Sequence, residues 1–469
     1  MQQCISAAMQ LWELKMIYRD EEELFSHCNI EIVNGKVEFK DVDFFKEKVV
    51  ENLVDTLLLS DSSDLKNICH WVAYEAAHKS GVIPSSIQTL YEARTKHNLT
   101  HFTVPAINLR TLTYDSARAV FRAAKKINAG AFIFEIAKSE IEYTEQRPQE
   151  YFSFVILAAI KEGFSGPVFI QGDHFQVKAK NFLQDSEREI NQLKDLISEA
   201  IEAGFYNIDI DSSTLVDLSK LTIDDQQKLN YEVCALFTKF IRELQPGGIE
   251  ISIGGEIGEV GGKNSTPEEL HAFMRGYNSR IRGLTGLSKI SIQTGTTHGG
   301  VVLPDGSIAK VKIDFDTLKV LSQIAMTKFG MAGAVQHGAS TLPKEAFCRF
   351  PEVECAEIHL ATQFQNIVYD YLPSQLKEKI YIWLHKNYSD EKKLEQTDDQ
   401  FIYKTRKKAF GSFKRQIYSL PRDLKNKISS ALEEEFSFLF EKLNIKDTRL
   451  FVDKYVKPIR TDKKKEDFF

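Results

Sequence analysis

Residues 166–211 read GPVFIQGDHFQVKAKNFLQDSEREINQLKDLISEAIEAGFYNIDID. An apolar run of strand length, "PVFIQGD", opens the stretch, and a second, "YNIDID", closes it. Between them Ile190, Leu193, Leu196, Ile197, Ala200 and Ile201 recur at helical spacing and form one stripe. Asp185 stands where an N-cap belongs and Gly204 where a helix stops. Strand, amphipathic helix, strand is a βαβ unit, whose two strands must run parallel.

The same alternation extends in both directions. Upstream lie "FTVPAIN" ending at Asn108 and "AFIFEIA" ending at Ala137, joined by the helical "TYDSARAVFRAAKKINAG" with Ala117, Val120, Phe121 and Ala124 facing inward. Downstream come "IEISIGGE" ending at Glu256, "KISIQTG" ending at Gly295, "AGAVQH" ending at His337 and "AEIHLAT" ending at Thr362. With the opening pair this makes eight strands, and closure into a (β/α)8 TIM barrel over residues 99–374 is the economical packing. An open doubly wound sheet is the alternative, but no GxGxxG follows the first strand.

Residues 1–98 are predicted helical, most clearly in "SDSSDLKNICHWVAYEAAHKSG", where Ser63 or Asp64 caps the start and Gly81 ends the helix. Residues 375–469 are also predicted helical: "SQLKEKIYIWLHKNYSD" and "LPRDLKNKISSALEEEFSFLFEKLN" are amphipathic, with "SDEKKLEQTDDQ" as a charged connection. These ends are expected to cap the barrel or to form subunit contacts, with no chemistry legible in them. The terminal "RTDKKKEDFF" is expected to be a solvated tail.

Composition fits this plan. A chain of 469 residues with 43% hydrophobic content can bury a TIM-barrel core with helical material left over. Lys plus Arg numbers 60 against 66 Asp plus Glu, for a formal charge of −6, which argues against a nucleic-acid partner. The first residues carry no basic segment before an apolar core, and no apolar run approaches the ~20 residues a membrane span needs. Six cysteines without a CxxC pair read as reduced thiols, so a cytoplasmic protein without a membrane partner is expected.

Barrel active sites are built at the carboxyl ends of the strands. The polar residues gather there: Asn108, Asp173, His174, Asp211, Glu256, and then His298 and His337 after the sixth and seventh strands. Three imidazoles from separate strands with one open coordination position suit a catalytic zinc, and Asp173 adds a carboxylate able to move protons beside it. His359, inside the eighth strand, is placed to point into the mouth. Small-residue loops follow two of the ligand candidates, Gly299-Gly300 after His298 and Gly338-Ala339-Ser340 after His337. With Thr362 they fall in the usual phosphate region of this fold. Flexible glycines around Glu256 and Glu259 suggest a mobile loop, which leads into a capping box formed by Thr266 and Glu269.

These motifs together resemble the class II, metal-dependent fructose-bisphosphate aldolases. "TVPAIN" is similar to that family's "VPAFN", "PVFIQGDH" to "PVALHLDH" and "AGFYNIDIDSS" to "AGFTSVMIDGS". "GGEIGEVGG" is similar to "EAELGTIGG", "TGTTHGG" to "GTAHG" and "QHGAS" to "HGGSG", all in the same order over roughly residues 101–370. The resemblance implies that His174, His298 and His337 hold one catalytic zinc, and that Asp173 is the general acid/base. It places Asp211 and Glu256 near an alternative metal position, with room for a second or monovalent cation. Asn108, Gly299, Gly338, Ser340 and Thr362 match substrate- and phosphate-contacting positions. The implied reaction is reversible cleavage of a ketose bisphosphate, fructose 1,6-bisphosphate or a close relative, to dihydroxyacetone phosphate and an aldehyde. A homo-oligomer, dimeric or larger, is implied as well.

The chain also departs from the family pattern. Its eighth strand reads "IHLATQ" where "INVNTD" is usual, so His359 and Ala361 replace two substrate-side residues. Ala137 stands where a serine is usual, and Lys263 and Asn264 replace an acidic pair, leaving Glu259 as the substitute carboxylate. A non-catalytic sugar-phosphate-binding subunit or scaffold is therefore the competing reading. A metal-dependent barrel hydrolase ranks third, because "VPAINLR" lacks an HxH pair.

Overall fold

The computed structural model describes residues 17–33, 35–258, 263–295, 303 and 313–469. His298, Gly299 and Glu259 lie outside the described residues. Eleven strands are found among the described residues. They are β1 (Ile30–Val33), β2 (Lys36–Phe39), β3 (Val82–Ser85), β4 (Val104–Asn108), β5 (Ile133–Ala137) and β6 (Gly166–Gln176), then β7 (Asn207–Asp211), β8 (Ser252–Glu256), β9 (Lys289–Ile292), β10 (Ala334–Gln336) and β11 (Glu357–Leu360).

Strands β4 to β11 pair in parallel with their neighbours in chain order, and β11 returns to β4 with Glu357 opposite Val104. This closes the sheet into the (β/α)8 barrel, with all eight expected strands in place. Almost every barrel-strand residue is buried, because helices cover the outside while side chains fill the inside.

The first 98 residues are not purely helical. β1 and β2 form an antiparallel hairpin, and β3 runs parallel to the first residues of β6, with Val82 opposite Gly166 and Ser85 opposite Phe169. The hairpin did leave a local signal, Asn34-Gly35 between two short β-branched runs. β3 left none, since four residues are too few to show a period. After β3, the helix Gln88–Lys96 plugs the amino end of the barrel. Its fully buried Arg94 donates to the carbonyls of Phe102 (2.6 Å), Ala332 (3.1 Å) and Cys355 (3.2 Å), which pins three strand-entry loops together.

The two ends of the chain pack on the barrel and on each other. Helix Ser63–Lys79, capped by Ser62 rather than Ser63 or Asp64, lies against Pro148–Lys161. Helix Arg422–Lys442 lies against Thr113–Lys126, where Arg122 reaches Glu433 (2.5 Å) and Ser429 (2.7 Å). The expected solvated tail is instead docked: Lys465 pairs with Glu21 at 2.6 Å, Asp462 with Lys36 at 3.0 Å, and Phe468 meets Tyr74 edge-on at 5.9 Å. Among the described residues no helix is long and apolar enough to cross a membrane.

Candidate active site

The bend in β6 positions the first candidate ligand. Register with β7 shifts between Gly172 and Phe175, a β-bulge that leaves His174 at φ +41°. A left-handed backbone at a non-glycine residue costs energy and clusters at functional sites. Gly172 makes room for the bulge, since a Cβ there would stand 2.4 Å from the ring of Phe175. The kink turns Asp173 and His174 both toward the mouth.

There the rings of His174 and His337 meet edge to face with centroids 4.2 Å apart, and His337 and His359 are equally close. His174 donates from Nδ1 to Asp211 (3.0 Å) and lies 3.3 Å from Glu256. His174, Glu256 and His337 each present a ligand atom within 4.8 Å of the other two, and so do Asp173, His337 and His359. Two imidazoles and a carboxylate on separate strand ends form a donor set suited to zinc. Glu256 is pushed up to about 7 by burial and then by Asp211. His174 is raised well above its ordinary range, because Asp173 and Glu256 outweigh the opposing effect of burial.

Asp173 is buried, and although burial alone would raise its pKa, His174 and His359 hold it well below the usual carboxylate range. His359 points inward, as its place on the eighth strand suggested. Its Nδ1 donates to Asp173 (3.1 Å) and reaches Glu135 (3.0 Å), while Nε2 donates to Glu357 (2.7 Å). The imidazolium therefore ties the candidate acid/base to the barrel floor.

The floor itself escaped the sequence reading. Lys289, 1% exposed, donates to Gln171 (2.6 Å), lies 3.0 Å from Asp209 and pairs with Glu357, which also accepts from Tyr91. Burial would raise Glu357, but Lys289 and His359 hold it down at about 2. Asp209 is pushed up to about 6 by burial against the pull of Lys289, and Glu135 to about 8 by burial and the charge of Asp173. The available signal was a period of two. Gln171, Asp209, Lys289 and Glu357 each precede an inward-facing polar residue (Asp173, Asp211, Ser291, His359) by two positions, so they form the next layer down.

Around the rim, Asn108 donates to Glu140, which also accepts from the amide of Ala137 (2.9 Å) and from Arg110 (2.7 Å). Gly338 takes φ +68°, and the hydroxyl of Ser340 accepts the amides of Ala361 (2.7 Å) and Thr362 (3.2 Å). The loop after β10 thus caps the helix Thr362–Tyr371 that follows β11. A cavity of about 560 Å³ joins Asp173, His174, His337 and His359 to Asn108, Gly338, Ser340 and Thr362. Its outer wall comes from the region in which no chemistry was legible: Gln396, Gln400, Tyr403, Lys404 and Lys407. The expected connection "SDEKKLEQTDDQ" ends inside helix Asp398–Thr405, which carries part of that wall.

A protein-family model described as "Fructose-bisphosphate aldolase class-II" matches residues 88–417. The chain belongs to the class II fructose-bisphosphate aldolase family. The match begins at the helix that plugs the barrel and runs into the C-terminal cap. No curated protein sequence matches the chain. Among solved structures it is similar to a fructose-bisphosphate aldolase from Campylobacter jejuni, at 17% identity and TM-score 0.47, covering 78% of this chain and 98% of that one. It is also similar to the YdjI aldolase from Escherichia coli K12, at 12% identity and TM-score 0.46, covering 77% and 98%. A third likeness is to a fructuronate-tagaturonate epimerase from Cohnella laeviribosi, at 12% identity and TM-score 0.50, covering 73% and 82%.

Proposed function

We infer that this aldolase-family protein is a metal-dependent enzyme that reversibly cleaves a ketose bisphosphate to dihydroxyacetone phosphate and an aldehyde. The observation carrying this reading is the meeting of His174, His337 and Glu256 within ligand distance of one another, beside Asp173. His298 completes the proposed ligand set, with Asp211 and Glu256 available to an alternative position. A zinc ion held by these residues would supply Lewis acidity toward the substrate ketone.

The chain's own residues do the rest. Asp173, held ionised by its imidazole neighbours, removes the proton from the C4 hydroxyl as the C3–C4 bond breaks. The bonding electrons pass to the C2–C3 unit, which takes up a proton at C3 to leave as dihydroxyacetone phosphate. His359 orients Asp173 and lines the substrate cavity. Gly338, Ser340, Thr362 and, by its place in the sequence, Gly299 receive the phosphate nearest the ketone. Asn108 faces the same cavity, and Glu259 is assigned as a second proton-transfer carboxylate on the loop after β8.

The test is metal content together with a coupled assay for dihydroxyacetone phosphate. The metal-loaded protein should cleave fructose 1,6-bisphosphate or a stereoisomer, and Asp173→Ala should lower kcat by roughly 100-fold or more while retaining the metal. His337→Ala should lose both. Stoichiometric metal without turnover on any ketose bisphosphate would favour the non-catalytic binding subunit, a reading motivated by His359, Ala361 and Ala137 at substrate-side positions.

A further inference from the structure

We propose that Asp173, Glu135 and His359 form a second cation site, for a divalent transition ion that binds after the first and takes Asp173 out of proton transfer. The site itself stands on geometry; its effect on turnover rests on the aldolase reading above.

The three residues come from β6, β5 and β11 and line the cavity together. None of them belongs to the ligand set proposed for the first ion, or to its alternative position at Asp211 and Glu256. Nδ1 of His359 lies 3.0 Å from Glu135 and 3.1 Å from Asp173. One N–H cannot serve two carboxylates equally well, whereas a metal ion can. Ligand atoms at right angles, each about 2.1 Å from an ion, stand about 3 Å apart. That is the spacing found from Nδ1 to each carboxylate, so an ion can take the place of the proton. One imidazole with two carboxylates is a donor set for zinc or manganese.

The surroundings are those of a metal ligand. A ligating histidine donates its other ring N–H to a carboxylate, which fixes its tautomer and orientation. Nε2 of His359 does so to Glu357 at 2.7 Å, and Glu357 is itself paired with Lys289. Ligating carboxylates are hydrogen-bonded in their turn, and Glu135 accepts from Gln171 at 3.1 Å. Asn108, opposite Glu135 in the pairing of β4 with β5, is 2% exposed, and its Oδ1 accepts no hydrogen bond among the described residues. It lines the same cavity, so a further oxygen donor stands beside the carboxylates. The charges leave room as well. Glu135, Asp173, Asp209 and Glu357 all lie within 3.7 Å of the His359 ring nitrogens, and their cations are that imidazolium and Lys289.

Binding releases the Nδ1 proton to solvent. The ion binds second because it must displace that proton and lies beside the first, the rings of His359 and His337 being 4.2 Å apart. With its oxygen in the ion's shell, Asp173 cannot accept a proton from substrate, so excess metal arrests cleavage.

The experiment is calorimetric titration of the full-length protein, carrying one equivalent of zinc, with further zinc chloride, in wild type, His359→Asn and Glu135→Gln. Wild type should bind one more ion, more weakly than the first. Each substitution should weaken this second event roughly 10-fold or more while sparing the first, which also shows that the variant is folded. Wild-type cleavage of fructose 1,6-bisphosphate should fall roughly 10-fold or more between one equivalent and saturating zinc, and the ratio of the two rates should be smaller in His359→Asn. No second event in wild type, or one that persists unweakened in both variants, would overturn the site. So would loss of both ions from both variants, which would mark these residues as supports of the first site. A second ion that leaves turnover unchanged would overturn the effect on Asp173. Should no ketose bisphosphate be cleaved, the aldolase reading fails, while the second binding event still decides the site.

Discussion

At the scale of single residues, the site is a stack of charges whose members depend on one another. Lys289 is enclosed by Glu357, Asp209 and Gln171, and removing it would leave His359 as the single cation facing the buried carboxylates of Glu357 and Asp209. Lys289→Met is therefore expected to cost about 3–5 kcal/mol in urea unfolding; a loss under about 1 kcal/mol would show that the floor is not an ion-paired core. Closer to the mouth, the metal-free protein keeps protons where an ion would bind. Glu256 sits at about 7 and His174 well above its ordinary value. Ion binding must expel these protons, so metal affinity should fall as pH drops through 7. Zinc titration in buffers of different ionisation enthalpy should show net proton release, and Glu256→Gln should reduce it.

At the scale of elements, the strands were legible and their inner layer was not. Eight runs, six of them ending in polar residues, located the barrel mouth, because a strand buried on both faces is a short continuous apolar run and helices separate the runs. Glu135, Asp209 and Glu357 were passed over because each sits within such a run, where hydrophobicity hides a period-two polar partner. The bulge at Gly172–Phe175 was likewise hidden, since it depends on pairing between β6 and β7. The helix Ser63–Lys79 carries its own pH response. His70, in contact with Ser153 at 2.7 Å, is driven down to about 3 by burial and then by Lys66, against an ordinary value of 6.5. It stays neutral in the fold while the unfolded chain takes up a proton below 6.5. Its contribution is thus complete above that pH and is lost toward about 3, at about 1.4 kcal/mol per pH unit. Melting temperatures measured from pH 7.5 to 5 should fall less steeply in His70→Asn than in wild type; parallel curves would refute this.

At the scale of the molecule, the two ends of the chain are the least predictable part. Their helices were legible from amphipathic spacing, but no spacing reveals that Lys407 overhangs a barrel mouth whose residues run from Asn108 to Thr362. Nor does it reveal that the tail closes on Glu21, Lys36 and Tyr74. Deleting residues 456–469 should lower the melting temperature on the order of 5 °C without changing the affinity for zinc, since the tail is remote from the mouth. The central claim is that strand-end imidazoles share one ion, and anomalous scattering at the zinc edge from crystals of the metal-loaded protein tests it most directly. A single peak about 2.0–2.1 Å from ring nitrogens of both His174 and His337 is the predicted result. Zinc bound elsewhere, with His174 still turned to Asp211 and Glu256 and no peak between the two rings, would contradict it.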